Sequence, residues 1–82
     1  MPFFFFVWDD ENERHLAAHG VTREEFEEIV CDPGLVTQSR STGRPIAFGR
    51  TRAGRYLPCI YELLEPDTVY AITAFEPEEG DR

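Results

Sequence analysis

The chain has 82 residues, of which 41% are hydrophobic and 13% aromatic, and it carries a formal net charge of −8. This length leaves room for one domain, and the hydrophobic content excludes an intrinsically disordered chain. The negative charge excludes a surface that attracts nucleic acid everywhere, because nonspecific binding needs a positive field. We predict a single domain over residues 1–76 and an acidic tail over residues 77–82.

An aromatic and β-branched segment opens the chain and has the length of a strand. Residues 3–8 read Phe-Phe-Phe-Phe-Val-Trp, without the polar alternation of a half-buried strand. This pattern predicts a strand covered on both faces, by a helix on one side and by a partner on the other. The segment is too short to span a membrane, and no basic residue precedes it. We therefore expect a cytoplasmic protein with no membrane partner.

Two short helices are predicted next. Asp9 or Asp10 can cap the first helix, which is expected to run to about His19 and to end at Gly20 in a left-handed conformation. The segment Thr22-Arg-Glu-Glu25 fits a capping box and begins a second helix. That helix is expected to end at about Cys31, with an apolar stripe formed by Phe26, Ile29 and Val30.

After Gly34 the hydrophobic period changes to two, which predicts strands. Pro58 falls inside one of them and indicates an edge position or a bulge there. The predicted fold class is α+β, with two N-terminal helices packed on one face of a mainly antiparallel sheet of about five strands, in the order β-α-α-β-β-β-β. The four predicted later strands are Leu35–Ser41, Pro45–Thr51, Arg55–Leu64 and Thr68–Phe75.

The two cysteines do not form a recognised metal or redox motif. Cys31 and Cys59 are too few and too far apart in sequence for a zinc knuckle or a Cys-x-x-Cys site. Two free thiols are the expected state, and a single disulfide is the alternative.

The basic residues are concentrated in one part of the sequence. Residues 33–61 contain five of the eight arginines and no Asp or Glu, and the chain has no Lys. The planar guanidinium group suits bidentate contacts with phosphate or carboxylate. Arg50 and Arg55 lie at predicted strand ends around one turn, with Arg52 between them, so we expect them to converge at the rim of the sheet. The alternative is that the arginines pair with the acidic residues of the helices.

Several motifs together resemble the BrnT family of type II toxins, which are small RelE-like ribonucleases neutralised by a BrnA antitoxin. The matching segments are Trp8-Asp9 to Val21 (WDxxNxxHLxxHGV), Gly49-Arg50-Thr51, Gly54-Arg55-Tyr56-Leu57 and Ala71-Ile72-Thr73-Ala74. The resemblance implies a RelE-like fold, metal-independent cleavage of mRNA without a cofactor, and a BrnA-like antitoxin as partner. The toxins continue after the last motif with a basic tail, whereas this chain continues with Phe75-Glu76-Pro77-Glu78-Glu79. This departure predicts an attenuated ribonuclease.

A metal-independent ribonuclease needs a proton donor, a proton acceptor and cations aimed at the phosphate. Arg50 and Arg55 are the predicted catalytic cations, and Tyr56 and His15 are the predicted acid–base groups. The arginines expected to bind RNA are Arg40, Arg44 and Arg52. Packing on the sheet is the structural alternative for the tyrosine and for the histidine. His15 and His19 are one helical turn apart, but no third ligand completes a site at helical spacing, so no metal site is predicted.

Two functions are therefore expected from the sequence. The first is a BrnT-like endoribonuclease toxin that binds mRNA through an arginine rim. The second is a noncatalytic protein-binding or regulatory module on the same fold. In that case the arginines pair with acidic side chains, and the Phe-rich first strand supports a homodimer or an antitoxin-like contact. The expected acidic partners are Glu24, Glu27, Glu28 and Glu62.

Overall fold

A computed structural model describes residues 4–77 of the chain. Two helices follow the first strand, and four strands complete the domain. In chain order the elements are β1 (Phe5–Val7), α1 (Asp10–Ala18), α2 (Arg23–Cys31), β2 (Leu35–Gln38), β3 (Pro45–Phe48), β4 (Cys59–Glu65) and β5 (Thr68–Ala74). The predicted α+β class and the β-α-α-β-β-β-β order are confirmed.

The five strands form one mixed sheet in the spatial order β1-β5-β4-β3-β2. β1 is parallel to β5, and the other three neighbouring pairs are antiparallel. β1 and β2 are therefore the two edge strands. The first strand was predicted to be covered on both faces. The structure shows this only in part, because Phe6 packs against the core whereas Phe5 is exposed. Residue 3 of the predicted first strand lies outside the described residues.

Local sequence explains why both helices begin where they do. Asp9 caps α1 and exchanges hydrogen bonds with Asn12, and Thr22 caps α2 and exchanges hydrogen bonds with Glu25. Gly20 follows α1 with φ +71°, the left-handed conformation that glycine adopts without strain. Both predicted helices are thus confirmed to within a residue or two.

The helices and the sheet share one hydrophobic core. The register places Ala47, Cys59 and Ala74 side by side on the helix-covered face, and all three are buried. The alternation of a strand then directs Ile46, Ile60 and Thr73 to the opposite face, which we call the open face. Residues from both helices complete the core, namely Leu16, Phe26, Ile29 and Val30.

The predicted position of Pro58 was wrong. Pro58 precedes β4 rather than lying within it, and β4 is flanked by β3 and β5, so it is not an edge strand. The register irregularities of β4 fall instead between Ile60 and Tyr61 and between Leu63 and Glu65. Because proline has no amide hydrogen for a ladder, the β3–β4 pairing is reduced before Cys59 to an isolated bridge between Arg50 and Tyr56.

Three further predictions concern the ends of the chain, the thiols and the membrane. Of the predicted acidic tail, residue 77 is described and exposed, and residues 78–82 lie outside the described part. Cys31 and Cys59 are free thiols, as expected. No helix within residues 4–77 is long and apolar enough to cross a membrane.

Candidate functional site

The turn between Thr51 and Arg55 determines where the central arginines point. The Thr51 amide donates to the Arg55 carbonyl at 2.9 Å, and the Gly54 amide donates to the Thr51 carbonyl at 2.8 Å. The Arg55 amide in turn donates to Thr51 Oγ1 at 3.1 Å. Gly54 has φ +90°, which a residue with a side chain rarely adopts. These bonds fix the turn and with it the direction of the side chains on either side.

Arg55 points to the helices, and both of its Nη atoms make hydrogen bonds. Its Nη1 donates to both carboxylate oxygens of Glu25, at 2.9 and 3.0 Å, and to the Gly20 carbonyl at 3.0 Å. Its Nη2 donates to Glu76 Oε1 at 3.1 Å. The side chain predicted to be a catalytic cation therefore joins α2, the end of α1 and the segment after β5.

The protonation equilibria agree with this structural role of Arg55. Hydrogen bonds to Glu76 and Glu25 raise the pKa of the Arg55 guanidinium. Burial by itself raises the pKa of Glu25, but the Thr22 amide and the Arg55 guanidinium outweigh it and hold that pKa below its ordinary value. Both groups are thus charged at neutral pH and form an ion pair.

Arg50 points to the open face, away from Arg55, and lies against aromatic rings. Its guanidinium carbon is 5.6 Å from the centre of the Tyr56 ring, and its Nη1 donates to the Gly54 carbonyl at 3.0 Å. The Tyr56 ring is stacked on Phe48, with centroids 6.3 Å apart and planes inclined by 23°. Within residues 4–77 Arg50 has no carboxylate partner. We call Arg50, Tyr56 and Phe48 the Arg–aromatic stack.

A groove runs beside the Arg–aromatic stack and is open to solvent. Its volume is about 520 Å³. Leu35, which is opposite Phe48 in the β2–β3 register, continues the apolar surface to the edge of the sheet. The groove is lined by Asp32, Pro33, Gly34, Leu35, Phe48, Gly49, Arg50 and Tyr56. It combines aromatic and aliphatic side chains with the Asp32 carboxylate and with a guanidinium that has no ion-pair partner among the described residues.

His15 lies at a different and smaller pocket, of about 210 Å³. His15 Nδ1 is 3.4 Å from the Ile72 carbonyl oxygen, and the side chain is exposed. Arg44 also lines this pocket, and its Nε is 3.6 Å from Glu62 Oε1. The complete lining is Glu11, Asn12, His15, Arg44, Tyr70, Ala71 and Ile72.

The charges around the His15 pocket do not favour a phosphate. The Tyr70 hydroxyl donates to Asp9 Oδ2 at 2.9 Å, and this bond raises the pKa of Tyr70. Hydrogen bonds from the Asn12 amide and from Tyr70 lower the pKa of Asp9, so its carboxylate stays ionised. Glu11 lines the pocket, Asp9 accepts from the lining residue Tyr70, and Glu62 pairs with the one guanidinium of the lining, that of Arg44. An anion entering this pocket meets more negative than positive charge.

The structure does not bring the predicted site residues together in one place. Arg50 and Tyr56 come together on the open face, His15 and Arg44 line the smaller pocket, and Arg55 faces the helices. The other two predicted RNA-binding residues, Arg40 and Arg52, are exposed in the turns at opposite ends of β3. The continuous basic segment of the sequence is therefore not a continuous basic surface. The expected convergence of Arg50 and Arg55 was wrong, because Arg50 is paired with Tyr56 and shares its face, whereas Arg55 is adjacent to Tyr56 and points to the opposite face.

Some residues of these arrangements were not predicted. Phe48 could have been found, since alternation in β3 places it in phase with Arg50. The acidic partners of Arg55 could not have been found, because Glu25 is 30 positions and Glu76 is 21 positions away from it in the sequence. Of the expected acidic partners, Glu62 pairs with Arg44, and Glu28 accepts from the Arg52 backbone amide at 2.6 Å.

The histidines do not form a metal site. His19 caps the end of α1 and is exposed, with its ring centre 6.4 Å from that of Phe75. Among the described residues, no group of three or more His, Cys, Asp or Glu side chains is placed to hold a metal ion. His15 and His19 are thus a pair of surface side chains on one helix.

Comparison of the chain with protein-family models finds no match, and comparisons with curated proteins and with solved structures find none either. The resemblance to BrnT toxins therefore depends on the motif residues alone and stays a prediction.

Proposed function

We propose that this chain is a BrnT-like protein that binds single-stranded RNA on the open face of its sheet and does not cleave it rapidly. The observation that carries this proposal is the Arg–aromatic stack. The Arg50 guanidinium lies over the Tyr56 ring, which is stacked on Phe48 beside an open groove, and Arg50 has no acidic partner in the described chain. Unpaired bases stack on aromatic rings and on guanidinium planes, and a guanidinium also donates to phosphate.

The expected affinity is modest, because few cations face the groove. Base stacking on such a platform contributes about 1–3 kcal/mol per base. Among the described residues that line the groove, Arg50 supplies one phosphate contact, whereas Asp32 and the net charge of −8 oppose binding. The logarithm of the binding constant is therefore expected to fall with the logarithm of salt concentration with a slope of only about −0.7.

Fluorescence anisotropy with a labelled single-stranded RNA of about twelve nucleotides tests this proposal. We expect Arg50→Ala and Tyr56→Ala each to weaken binding about fivefold or more, as loss of a stacking layer implies. Arg23→Ala is the matched control, since it removes one exposed positive charge from α2. The proposal is wrong if the wild-type protein does not bind at low salt, or if Arg23→Ala weakens binding as much as Arg50→Ala.

Endoribonuclease activity is the second candidate function, and the His15 pocket is the observation that favours it. A histidine, a tyrosine and an arginine line one small pocket there. These are residue types that acid–base cleavage of RNA needs. The three neighbouring carboxylates and the engagement of Arg55 oppose this function. Both candidates keep a BrnA-like antitoxin and a homodimer through β1 as proposed partners.

Induced expression in a bacterial host separates binding from cleavage. If cleavage is slow or absent, cells that express soluble protein grow normally and keep intact mRNA. Growth arrest with fragmented mRNA, relieved by His15→Ala but not by Arg14→Ala, would replace the binding proposal with the ribonuclease. Arg14 is the adjacent exposed residue of α1 and controls for changes at the helix surface.

A further inference from the structure

The groove beside the Arg–aromatic stack contains a carboxylate that the RNA-binding proposal does not use. Asp32 lines this groove together with Arg50 and Tyr56. The side chain is exposed, and within residues 4–77 it forms no ion pair with Arg50 or with any other cation. The groove thus offers a hydrogen-bond acceptor and a hydrogen-bond donor that do not satisfy each other.

Backbone hydrogen bonds hold Asp32 at this place. The Asp32 amide donates to the Ile29 carbonyl at 3.2 Å and closes the last turn of α2. Two residues later the Gly34 amide donates to the Phe48 carbonyl at 2.8 Å, which ties the segment after α2 to the strand that carries the stack. Pro33 between them has a fixed φ angle. Asp32 is therefore fixed relative to the aromatic rings.

The absence of a side chain at Gly49 lets this segment lie close to the end of β3. A Cβ atom at residue 49 would be 3.3 Å from Ile29 Cγ2, 3.6 Å from Gly34 N and 3.7 Å from Pro33 Cα. The first of these distances is tighter than an ordinary van der Waals contact. Glycine thus keeps the carboxylate and the rings within one groove.

The end of the groove at Asp32 is rich in hydrogen-bond acceptors. α2 ends at Cys31, and its last turn contains no basic residue, so no side chain of that turn offsets the negative end of the helix dipole. The Asp32 carboxylate adds a full negative charge at the same place, and an ionised carboxylate only accepts hydrogen bonds. This end of the groove therefore repels phosphate and favours N–H groups.

We propose that the groove selects guanine among the bases of single-stranded RNA, and that Asp32 determines this choice. The inference rests on the proposed function, because a base must lie on the Arg–aromatic stack before its edge can meet the carboxylate. Guanine has two adjacent donors on its Watson–Crick edge, N1–H and N2–H, and a carboxylate accepts such a pair in a bidentate contact. Arg50 then contacts the adjoining phosphate.

The other three bases fit this acceptor less well. Cytosine and adenine each offer one amino group beside an unprotonated ring nitrogen, whose lone pair faces the carboxylate. Uracil offers a single N–H between two carbonyl oxygens. Each of these bases therefore brings an acceptor against an acceptor. Stacking on aromatic rings tolerates every base, because every base has a π-face, so the preference comes from the edge.

The size and openness of the groove set the expected strength of the preference. Its volume of about 520 Å³ is in the range of small-molecule sites, roughly 300–1,000 Å³, and leaves room for a base. A good bidentate contact discriminates against the wrong base by about fivefold or more. Water competes for the carboxylate in an open groove, so we expect the lower end, a preference of about fivefold for guanine over uracil.

Fluorescence anisotropy at low salt with five labelled RNAs tests the proposal. One RNA is twelve uridines long, and the others have guanosine, inosine, adenosine or cytidine at alternate positions. Since half of the bases are then guanine, we expect the guanosine RNA to bind about threefold more tightly than the uridine RNA. Inosine is a purine that keeps N1–H and lacks the N2 amino group, so its RNA should bind with intermediate affinity. It separates edge recognition from the stronger stacking of purines.

Asp32→Asn tests the residue itself. The amide replaces one acceptor by a donor, so the preference for guanosine over inosine should be lost while the uridine RNA binds at least as tightly as before. The change removes no ion pair within the described residues. Glu24→Gln is the matched control, since it removes the same charge from an exposed residue at the other end of α2 and should keep the preference.

The outcomes distinguish this inference from the proposed function. If all five RNAs bind equally, or if Asp32→Asn keeps the preference for guanosine, the role of Asp32 is wrong and the RNA-binding proposal stands. If no RNA binds to the wild-type protein, the proposed function is wrong, and the selection of guanine is wrong with it.

Discussion

The engagement of Arg55 predicts that this residue stabilises the fold, and the change Arg55→Met tests it. Methionine keeps most of the aliphatic stem and removes the guanidinium. The variant loses a two-point contact with Glu25, a bond to the Gly20 carbonyl and a bond to Glu76. It also leaves the Glu25 carboxylate, only 21% exposed, without its cation.

The expected loss of stability follows from burial and geometry. Hydrogen bonds to charged groups contribute about 1.5–3 kcal/mol when buried, whereas exposed ion pairs contribute about 0.2–1 kcal/mol. The Arg55 side chain is 28% exposed, so solvent screens part of the interaction, and the Glu76 contact lies at the surface. We therefore expect Arg55→Met to lower the free energy of unfolding by about 2 kcal/mol. For a domain of this length that corresponds to a fall of about 8–16 °C in the unfolding midpoint.

The measurement is thermal and urea unfolding at pH 7, followed by circular dichroism. Arg52→Met is the matched control, because it makes the same change in the same turn at an exposed side chain that has no ion-pair partner in the described chain. The control should stay within about 0.5 kcal/mol of wild type. Equal stabilities of the two variants would refute the structural role of Arg55.

Two other predictions follow from the protonation of individual groups. Because the folded state lowers the pKa of Glu25, its stabilising effect is complete above the ordinary value of 4.5 and is lost as the pH falls through the lowered pKa. We expect the thermal unfolding midpoint of the wild-type protein to decline between pH 6 and pH 3, and that of Glu25→Gln to decline less. If the midpoints of the two proteins fell in parallel, the lowered pKa of Glu25 would be contradicted. Burial raises the pKa of the Cys59 thiol to about 12, and burial also raises the pKa of the partly exposed Cys31 thiol. Iodoacetamide at pH 8 should therefore label Cys31 slowly and Cys59 only after unfolding. Mass spectrometry of the wild-type protein and of Cys31→Ser measures the labelling. Rapid labelling of Cys59 in the folded protein would contradict its burial.

Sequence alone could predict the helices because their signals are local. Each N-terminus is fixed by two residues three positions apart, Asp9 with Asn12 and Thr22 with Glu25, and Gly20 ends α1 without any distant contact. The positions of the strands along the sequence could also be predicted, because the hydrophobic period changes from 3.6 to 2 residues where the strands begin. These features depend on neighbours in sequence, so a single chain contains the information.

The site could be predicted only in part, because it depends on where strand pairing ends. Alternation correctly places Phe48 and Arg50 in phase, but β3 ends at Phe48 and β4 begins at Cys59, later than the pattern indicates. The intervening turn sends Arg55 to the helices, where it meets Glu25. That ion pair joins residues 30 positions apart, and no periodicity reports such a contact. Charge density along the sequence was therefore a poor guide to charge density on the surface.

The length of the Thr51–Arg55 turn has a consequence for how this fold can change. Arg55 at the end of the turn supports the structure, whereas Arg50 immediately before the turn stays available. The two side chains differ because they point to opposite faces of the sheet. Inserting one residue after Tyr56 would leave the turn itself intact and shift the partners of every later strand residue by one. Deleting one residue within the turn would exchange the faces to which Arg55 and Tyr56 point. Descendants of this sequence could thus gain or lose an exposed cation by a change in loop length, without replacing any arginine.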